Sequence, residues 1–578
     1  MTTQLTRLWE TFTGEIPRFG VPGSRSARLH HDRPQGMEPL PPSSTEARVF
    51  YSLRWLGTVG AMLIAVGGLG AGALPVVQNP FFSLPLGSLM GRMLHTSSAI
   101  TMTGVAILVT AWLLLAPLVG IPLWNKRSAN EKHDRETGIG DGRGRTFRRG
   151  TLTTRQLWAT YVSWMVPLIA TAPLFTQDIY SYLAQGSIVA HGMDPYAAGP
   201  VELLGADNEL ARSVPFIWAN SPSPYGPVAL GIAAAISSAT NDSIFLGIVS
   251  HRVIAIAGTF VAGWALVRLA RRCCVSPSAA LWLGILNPLS ILHLVGGIHN
   301  EAIMLGFVLA GVEFGLAGLE ILERPRRNSS DVARGVFFFV VSSVLISCAG
   351  MVKVTGFIAL GFTGIALARL WRGHRRINTW GAVALATVTQ VVILVLTVAL
   401  ITALTGIGLG WITAQGGAAT VRSWLSLSTA VGIAWGFIGM LLGLGDQTEA
   451  MLAVTRTAGI LVALVFLIRM LRGTLRGIIH PLGGLGVATF VLVIFFPVVH
   501  PWYILWAVFP LAAWANRYVF RVCVMAYSAL MSVMVLPRGL GLPPTTVLTI
   551  YVASAAAFIV ILWLWHGLLT RFGARVLH

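Results

Sequence analysis

In a chain of 578 residues, 55% are hydrophobic and only 11% charged, and the mean hydropathy is +0.72; soluble domains carry about 25% charged residues. This excludes a soluble enzyme and implies a polytopic membrane protein. The formal charge of +19 raises the question of a nucleic-acid partner, but the charge is distributed as membrane topology requires, so none is expected.

Residues 1–50 are polar, contain Arg and Pro, and lack the short apolar core of a signal peptide; they read as a disordered cytoplasmic tail. Apolar windows near 20 residues, each able to cross about 30 Å of hydrocarbon, follow at 51–73, 97–119, 157–175, 244–270, 277–295, 302–322, 333–350, 354–371, 379–405, 451–471, 479–498, 501–515, 519–536 and 545–567. The expected fold is therefore all-α and polytopic, with about fourteen transmembrane helices over 51–570 and a cytoplasmic C-terminus at 571–578. With a cytoplasmic N-terminus, the basic loops and ends all fall on one side and hold 34 of the 41 Lys and Arg residues, as the positive-inside rule requires. The charged, Gly-containing loop 124–155 is on that side. Two further apolar stretches, 225–240 and 424–444, would break this parity if they crossed, so they are assigned as juxtamembrane or re-entrant pieces of two outer loops, 176–243 and 406–449. Cys273, Cys274, Cys348 and Cys523 sit in or beside apolar segments without C-x-x-C spacing, which suggests neither a disulfide framework nor a zinc site.

The first outer loop opens with TQDIYSYLAQGSIVAHGMDPY. Asp178 follows the third window by about three residues and reads either as a general base or as a helix cap. Asp194, in Gly-Met-Asp-Pro-Tyr, fits a turn that its own side chain closes, and Tyr225 is presented by the rigid stretch PSPYGP. Tyr180 and Tyr182 divide between interfacial anchoring and sugar contact. Further on, GGIHNEAIML offers His299, Asn300 and Glu301 at the head of a new span, as caps or as a substrate-binding trio, with His293 deeper and read as a satisfied interior histidine. Arg252, Lys353 and Arg422 are outer cations against the prevailing bias; a lipid phosphate or simple headgroup anchoring would explain each. In HPWY, Pro501 and the aromatics Trp502 and Tyr503 suit a helix start at an interface, which leaves His500 unexplained.

QDIYSYLAQG, GMDPYAAGP, SVPFIWANSPSPYGP, ALWLGILNPLSILHLVGGIHNEAIMLGFVLAGVEF and HPWYILW together resemble the GT-C membrane glycosyltransferases. More narrowly they are similar to the actinobacterial α-(1→6)-mannopyranosyltransferases of lipomannan assembly, of the MptB type, related to MptA. The resemblance implies a GT-C-like fold in the cell membrane and an extracytoplasmic active site. It also implies a polyprenyl-phosphate-mannose donor, an acceptor that is a phosphatidylinositol mannoside or related glycolipid, and inversion at the anomeric carbon. Inversion by single displacement needs one base, and the family's outer-loop aspartate corresponds to Asp178. Arg252, Lys353, Arg422 and His500 are then candidates for the donor phosphate, and Tyr180, Tyr182, Asp194, Tyr225, His299, Asn300, Glu301 and Trp502 for sugar or acceptor. Some relatives carry two closely spaced acidic residues in the first loop, a pattern that suits a metal; here Asp178 is followed by Ile-Tyr, which disfavours a divalent metal but leaves it open, and no other cofactor is expected.

A transporter or flippase would share the composition, but it concentrates ionisable groups near mid-membrane. In this sequence Glu313 is the clear mid-span acid, while the other polar groups collect at outer span ends, which favours an enzyme. Transfer of another polyprenyl-phosphate sugar is the second enzymatic alternative.

Overall fold

A computed structural model describes residues 38–121, 149–374, 377–414, 422–539 and 541–571. Most of the expected tail, most of the loop 124–155 and all but the first residue of 571–578 lie outside the described residues. Numbering helices of seven residues or more, the first part of the chain forms α1 (Ser44–Ala71), α2 (Leu94–Leu115), α3 (Thr154–Met165), α4 (Asp178–Ala190), α5 (Pro227–Thr240), α6 (Ile244–Arg272) and α7 (Pro277–Leu283). Then follow α8 (Glu301–Glu323), α9 (Ser329–Val352), α10 (Ile358–His374), α11 (Thr379–Thr405), α12 (Leu427–Leu441), α13 (Thr448–Leu475), α14 (Pro481–Phe495), α15 (Leu505–Trp514), α16 (Tyr518–Met534) and α17 (Pro544–Arg571). No strand occurs among the described residues, so the fold is all-α.

Nine of the described helices are long and apolar enough to cross a membrane: α1, α2, α6, α8, α9, α10, α11, α13 and α17. The other five expected spans are shorter or broken. The window 157–175 holds only α3, which passes into a 3-10 turn at Val166–Leu168 and then unwinds, because Pro167 and Pro173 remove helical hydrogen bonds. The window 277–295 stops as a regular helix at Leu283; Asn287-Pro288 intervenes, and Ser290–Gly296 continues as a π turn, a form that recurs at functional sites. Helices α14, α15 and α16 have 15, 10 and 17 residues. The stretches expected in outer loops form α5 and α12, which at 14 and 15 residues extend about 21–23 Å at 1.5 Å per residue, less than the hydrocarbon thickness.

The core is built around α6 and α8, which pack on each other and, in turn, on α9 and α15. Small residues let these backbones meet: a β-carbon on Gly306 of α8 would stand 2.7 Å from the Gly258 carbonyl oxygen of α6. Such close approach replaces the hydrophobic drive that lipid cannot supply. Trp112 and Trp282 stack at 4.7 Å, and each indole donates a 2.9 Å hydrogen bond to the other's carbonyl, satisfying two buried N–H groups at once. Glu313 is paired with Arg268 and Arg272 at 2.8 and 2.6 Å, so the mid-span acid is one member of a structural ion-pair network. Helices α11, α13 and α17 present apolar side chains outward, among them Leu404, Val465 and Trp563, as surfaces facing lipid do. The cysteines are free thiols.

Candidate active site

Two chain segments carry the site to one end of the bundle. The first runs from the unwound end of α3 to Asp178, and the second from the π turn to Glu301. Both pass through a β-branched or aromatic residue with positive φ, Phe175 at 67° and Ile298 at 59°, a conformation that costs about 1–3 kcal/mol and clusters at functional sites. The amide of Leu174 donates to the Gly296 carbonyl at 3.1 Å, so the two segments are tied side by side just before their functional residues. Gly297 is needed there, since a β-carbon would stand 2.8 Å from the His293 carbonyl oxygen.

Arg252 completes this tie, and its position corrects the expectation that it meets a lipid phosphate. The side chain is fully buried. Its guanidinium donates to the carbonyls of Ile169 and Thr171 at 2.7 Å, of Val295 at 3.3 Å, and of Ala172 and Gly296 at 3.4 and 3.5 Å. Five donors in a fixed fork match carbonyls left open where helices unwind, which leaves no donor directed at a substrate.

Asp178 is the first residue of α4, whose capping position belongs to Gln177 with no side-chain cap bond, so the capping alternative does not hold. Its side chain is 25% exposed, with Oδ2 3.6 Å from His299 Nδ1; the Trp218 indole lies close enough to favour the charged carboxylate. Its pKa is raised to about 6, first by burial and then by the nearby Glu301 charge, with Lys353 opposing both. Glu301 begins α8, and its Oε1 accepts a 2.7 Å hydrogen bond from Lys353 Nζ. Lys353 sits at the break between α9 and the 3-10 turn Val354–Phe357. It also donates to the Tyr503 hydroxyl at 3.0 Å and lies 4.1 and 4.8 Å from the ring centres of Tyr503 and Trp506, within cation–π range.

Trp502 forms an aromatic wall beside this ion pair. His299, His500 and His293 stack on its ring at centroid distances of 4.1, 4.6 and 4.7 Å. Burial lowers the His299 pKa to about 3 and the His500 pKa to about 4, with Lys353 pushing the same way and Glu301 opposing, so both rings are neutral at physiological pH. His293 is not the satisfied histidine expected: it is fully buried, and neither ring nitrogen has a hydrogen-bond partner. Tyr182 meets Tyr225 edge to face at 5.3 Å, with their hydroxyls 3.4 Å apart, and both respond to the Asp178 and Glu301 charges.

The structure thus brings together Asp178, His299, Glu301, Lys353, His500, Trp502, Tyr182 and Tyr225. The other four candidates have other contacts. Tyr180 points away and donates to the Ala73 carbonyl at 2.6 Å, an anchor of the loop to the end of α1. Asp194 accepts from the Tyr196 amide at 2.9 Å, which makes it a turn residue rather than a sugar ligand. Asn300 is the capping residue of α8, and its carbonyl accepts from the Ile303 and Met304 amides. Arg422 is half exposed and pairs with Glu449, in the first turn of α13. Trp218, Tyr503 and Trp506 were missed by the sequence reading. Tyr503 directly follows Trp502 in HPWY and was assigned to the interface by default.

Comparison with known proteins identifies the family. A family model described as "Alpha-(1->6)-mannopyranosyltransferase, N-terminal domain" matches residues 54–369, and one described as "MptB C-terminal domain" matches residues 428–563. The chain is 54% identical to alpha-(1->6)-mannopyranosyltransferase B of Corynebacterium glutamicum, over 95% of this chain and 91% of that protein. It is 38% identical to an alpha-(1->6)-mannopyranosyltransferase of Mycobacterium tuberculosis over 86% and 84% of the two chains. With alpha-(1->6)-mannopyranosyltransferase A of the same organism the identity is 32% over 78% of each.

Proposed function

The chain belongs to the α-(1→6)-mannopyranosyltransferase family, on its MptB side, and from that premise we propose that it transfers mannose from polyprenyl-phosphate-mannose to a mannosylated glycolipid such as a phosphatidylinositol mannoside. The reaction is an inverting single displacement in a GT-C-like fold at the outer face of the cell membrane. The acceptor hydroxyl oxygen attacks C1 of the mannose, the bond from C1 to the phosphate oxygen breaks, and the hydroxyl proton passes to Asp178. Polyprenyl phosphate leaves with the bonding electrons.

The observation that carries this reading is the state of Asp178: a partly exposed carboxylate raised to about 6, ionised at neutral pH yet basic enough to take a proton as the new bond forms. Phosphate leaves without protonation, so the complementary need is positive charge near the developing anion. Lys353, fixed between Glu301 and the rings of Tyr503 and Trp506, supplies it without a metal. The Tyr182 and Tyr225 hydroxyls offer polar contacts to a sugar beside it. Outer-face orientation rests on the 34 of 41 basic residues that collect on the opposite side of the expected topology.

The test is Asp178→Asn in membranes supplied with polyprenyl-phosphate-mannose and acceptor glycolipid. Loss of the base lowers transfer by about 10²–10⁴-fold while expression and thermal stability stay normal. Full retained transfer would remove Asp178 from the mechanism.

A further inference from the structure

Two grooves on the flank of the bundle lie far from Asp178 and have no part in the chemistry above. One, of about 550 Å³, runs between α3 and α6, with Trp158, Phe260 and Trp264 along it and Arg268 and Arg271 at its head. The other, of about 510 Å³, runs between α1 and α3 on the opposite side of the same Trp158, past Met62 and Val162, with Arg54 at its head. We propose that this pair of grooves binds one anionic diacyl glycerophospholipid, a chain on each side of Trp158 and the phosphate between the three arginines.

Geometry fixes the depth. From Arg271 to Phe260 the groove follows eleven residues of α6, about 16 Å at 1.5 Å per residue, which is one leaflet of a hydrocarbon core about 30 Å thick. Arg271 is nineteen residues from Arg252, about 28 Å along the same helix, so the arginines belong to the leaflet opposite the site end. The walls are preformed: Trp158 stacks on Phe260 at 5.1 Å with the rings 2° from parallel, and Tyr161 buttresses both edge-on. Phe260, Val261 and Trp264 are each more than a third exposed, so the lining is apolar surface open to an acyl chain.

Charge selects the occupant. Arg268 neutralises part of Glu313 but keeps a half-exposed side chain, and Glu313 is also held by Arg272. The Arg271 guanidinium makes no hydrogen bond or ion pair among the described residues, and the buried Nε of Arg54 has no hydrogen-bond partner. Glu313 and Glu320 are both held by Arg272, so the three guanidinium groups of Arg54, Arg268 and Arg271 match a phosphodiester whose headgroup adds no positive charge. A zwitterionic lipid would bring its own cation against them.

The full-length protein, purified in mild detergent, is incubated with dioleoylphosphatidylglycerol or dioleoylphosphatidylcholine, and retained lipid is counted by native mass spectrometry. One phosphatidylglycerol is expected to stay bound in preference to phosphatidylcholine. The double variant Arg54→Gln/Arg271→Gln is expected to weaken retention about thirtyfold, from two lost surface cations, with mannosyl transfer at saturating donor unchanged; Arg54→Lys/Arg271→Lys, which keeps the charge, is expected to retain most of it. Equal retention of the two lipids, or by wild type and the Gln variant, overturns the proposal. So does one-for-one displacement of phosphatidylglycerol by polyprenyl phosphate, which would make the grooves a site for the lipid carrier.

Discussion

Lys353 and Glu301 are 52 positions apart in sequence, yet Nζ stands 2.7 Å from Oε1, and the Glu301 side chain is only 4% exposed. One residue heads α8 and the other ends α9, so the pair pins two core helices at the level of Asp178. Removing one partner of such a buried pair costs about 3–5 kcal/mol, which makes it a structural bond as well as an electrostatic one. Its two charges act on Asp178 with opposite sign.

That opposition sets a pH dependence. Asp178 is held at about 6 and must be deprotonated to act as base, so kcat/KM should rise as pH increases through about 6 and level off above it. His299, lowered to about 3, stays neutral throughout that range and adds no limb of its own. Glu301→Gln removes a like charge, stabilises the Asp178 carboxylate and should move the limb to lower pH. Lys353→Met removes the favourable cation and should move it to higher pH. A pH–rate profile of the two variants checks this; limbs that stay in place in both would mean that another group is titrating.

The sequence exposed the anchors of this arrangement but not the ties between them. Asp178, His299, Glu301, Lys353, His500 and Trp502 could be named because polar residues at span ends are costly and conspicuous. Arg252 was equally conspicuous and was misassigned, because its partners are backbone carbonyls, which look alike in every sequence. The broken spans did carry a signal: Pro167, Pro173, Asn287-Pro288 and Gly296-Gly297 punctuate windows that hydropathy alone reads as continuous helices. Tyr503 and Trp506 were hidden by a sound default, since aromatic residues at a span end are common for reasons unrelated to chemistry. What turned them into site residues is Lys353, which arrives from 150 residues away in sequence.

Arg252→Ala should therefore act on stability first. Truncation strands buried carbonyls of Ile169, Thr171 and Val295, at about 1–3 kcal/mol for each buried group left unpaired. Arg252→Lys should rescue only in part, because a point ammonium lacks the planar fork. Thermal unfolding in detergent reads this directly. A raised KM for donor with an unchanged melting point would instead restore a role at the phosphate.

Metal removal gives an independent check on the part assigned to Lys353. If that ammonium supplies the positive charge for the departing phosphate, transfer should persist after exhaustive dialysis against EDTA, and Lys353→Met should cost far more rate than chelation does. Loss of activity on dialysis, recovered by added magnesium or manganese, would assign the leaving-group charge to a metal.

The short helix Phe216–Ala219 joins the site to the membrane surface. Trp218 lies beside Asp178, while the preceding Phe216 and Ile217 are 90% and 55% exposed. Two large apolar side chains turned outward beside the candidate base are expected to enter the lipid interface and hold the loop where the polyprenyl donor is presented. Burial of a Phe side chain is worth about 1.5–3 kcal/mol, so Phe216→Ser should raise KM for the membrane-borne donor by about tenfold or more with kcat little changed. A short-chain, water-soluble donor analogue does not depend on that anchorage, and its KM should not move. If both donors lose equally, Phe216 acts by holding Trp218 against Asp178, and the membrane contact is not what the segment is for.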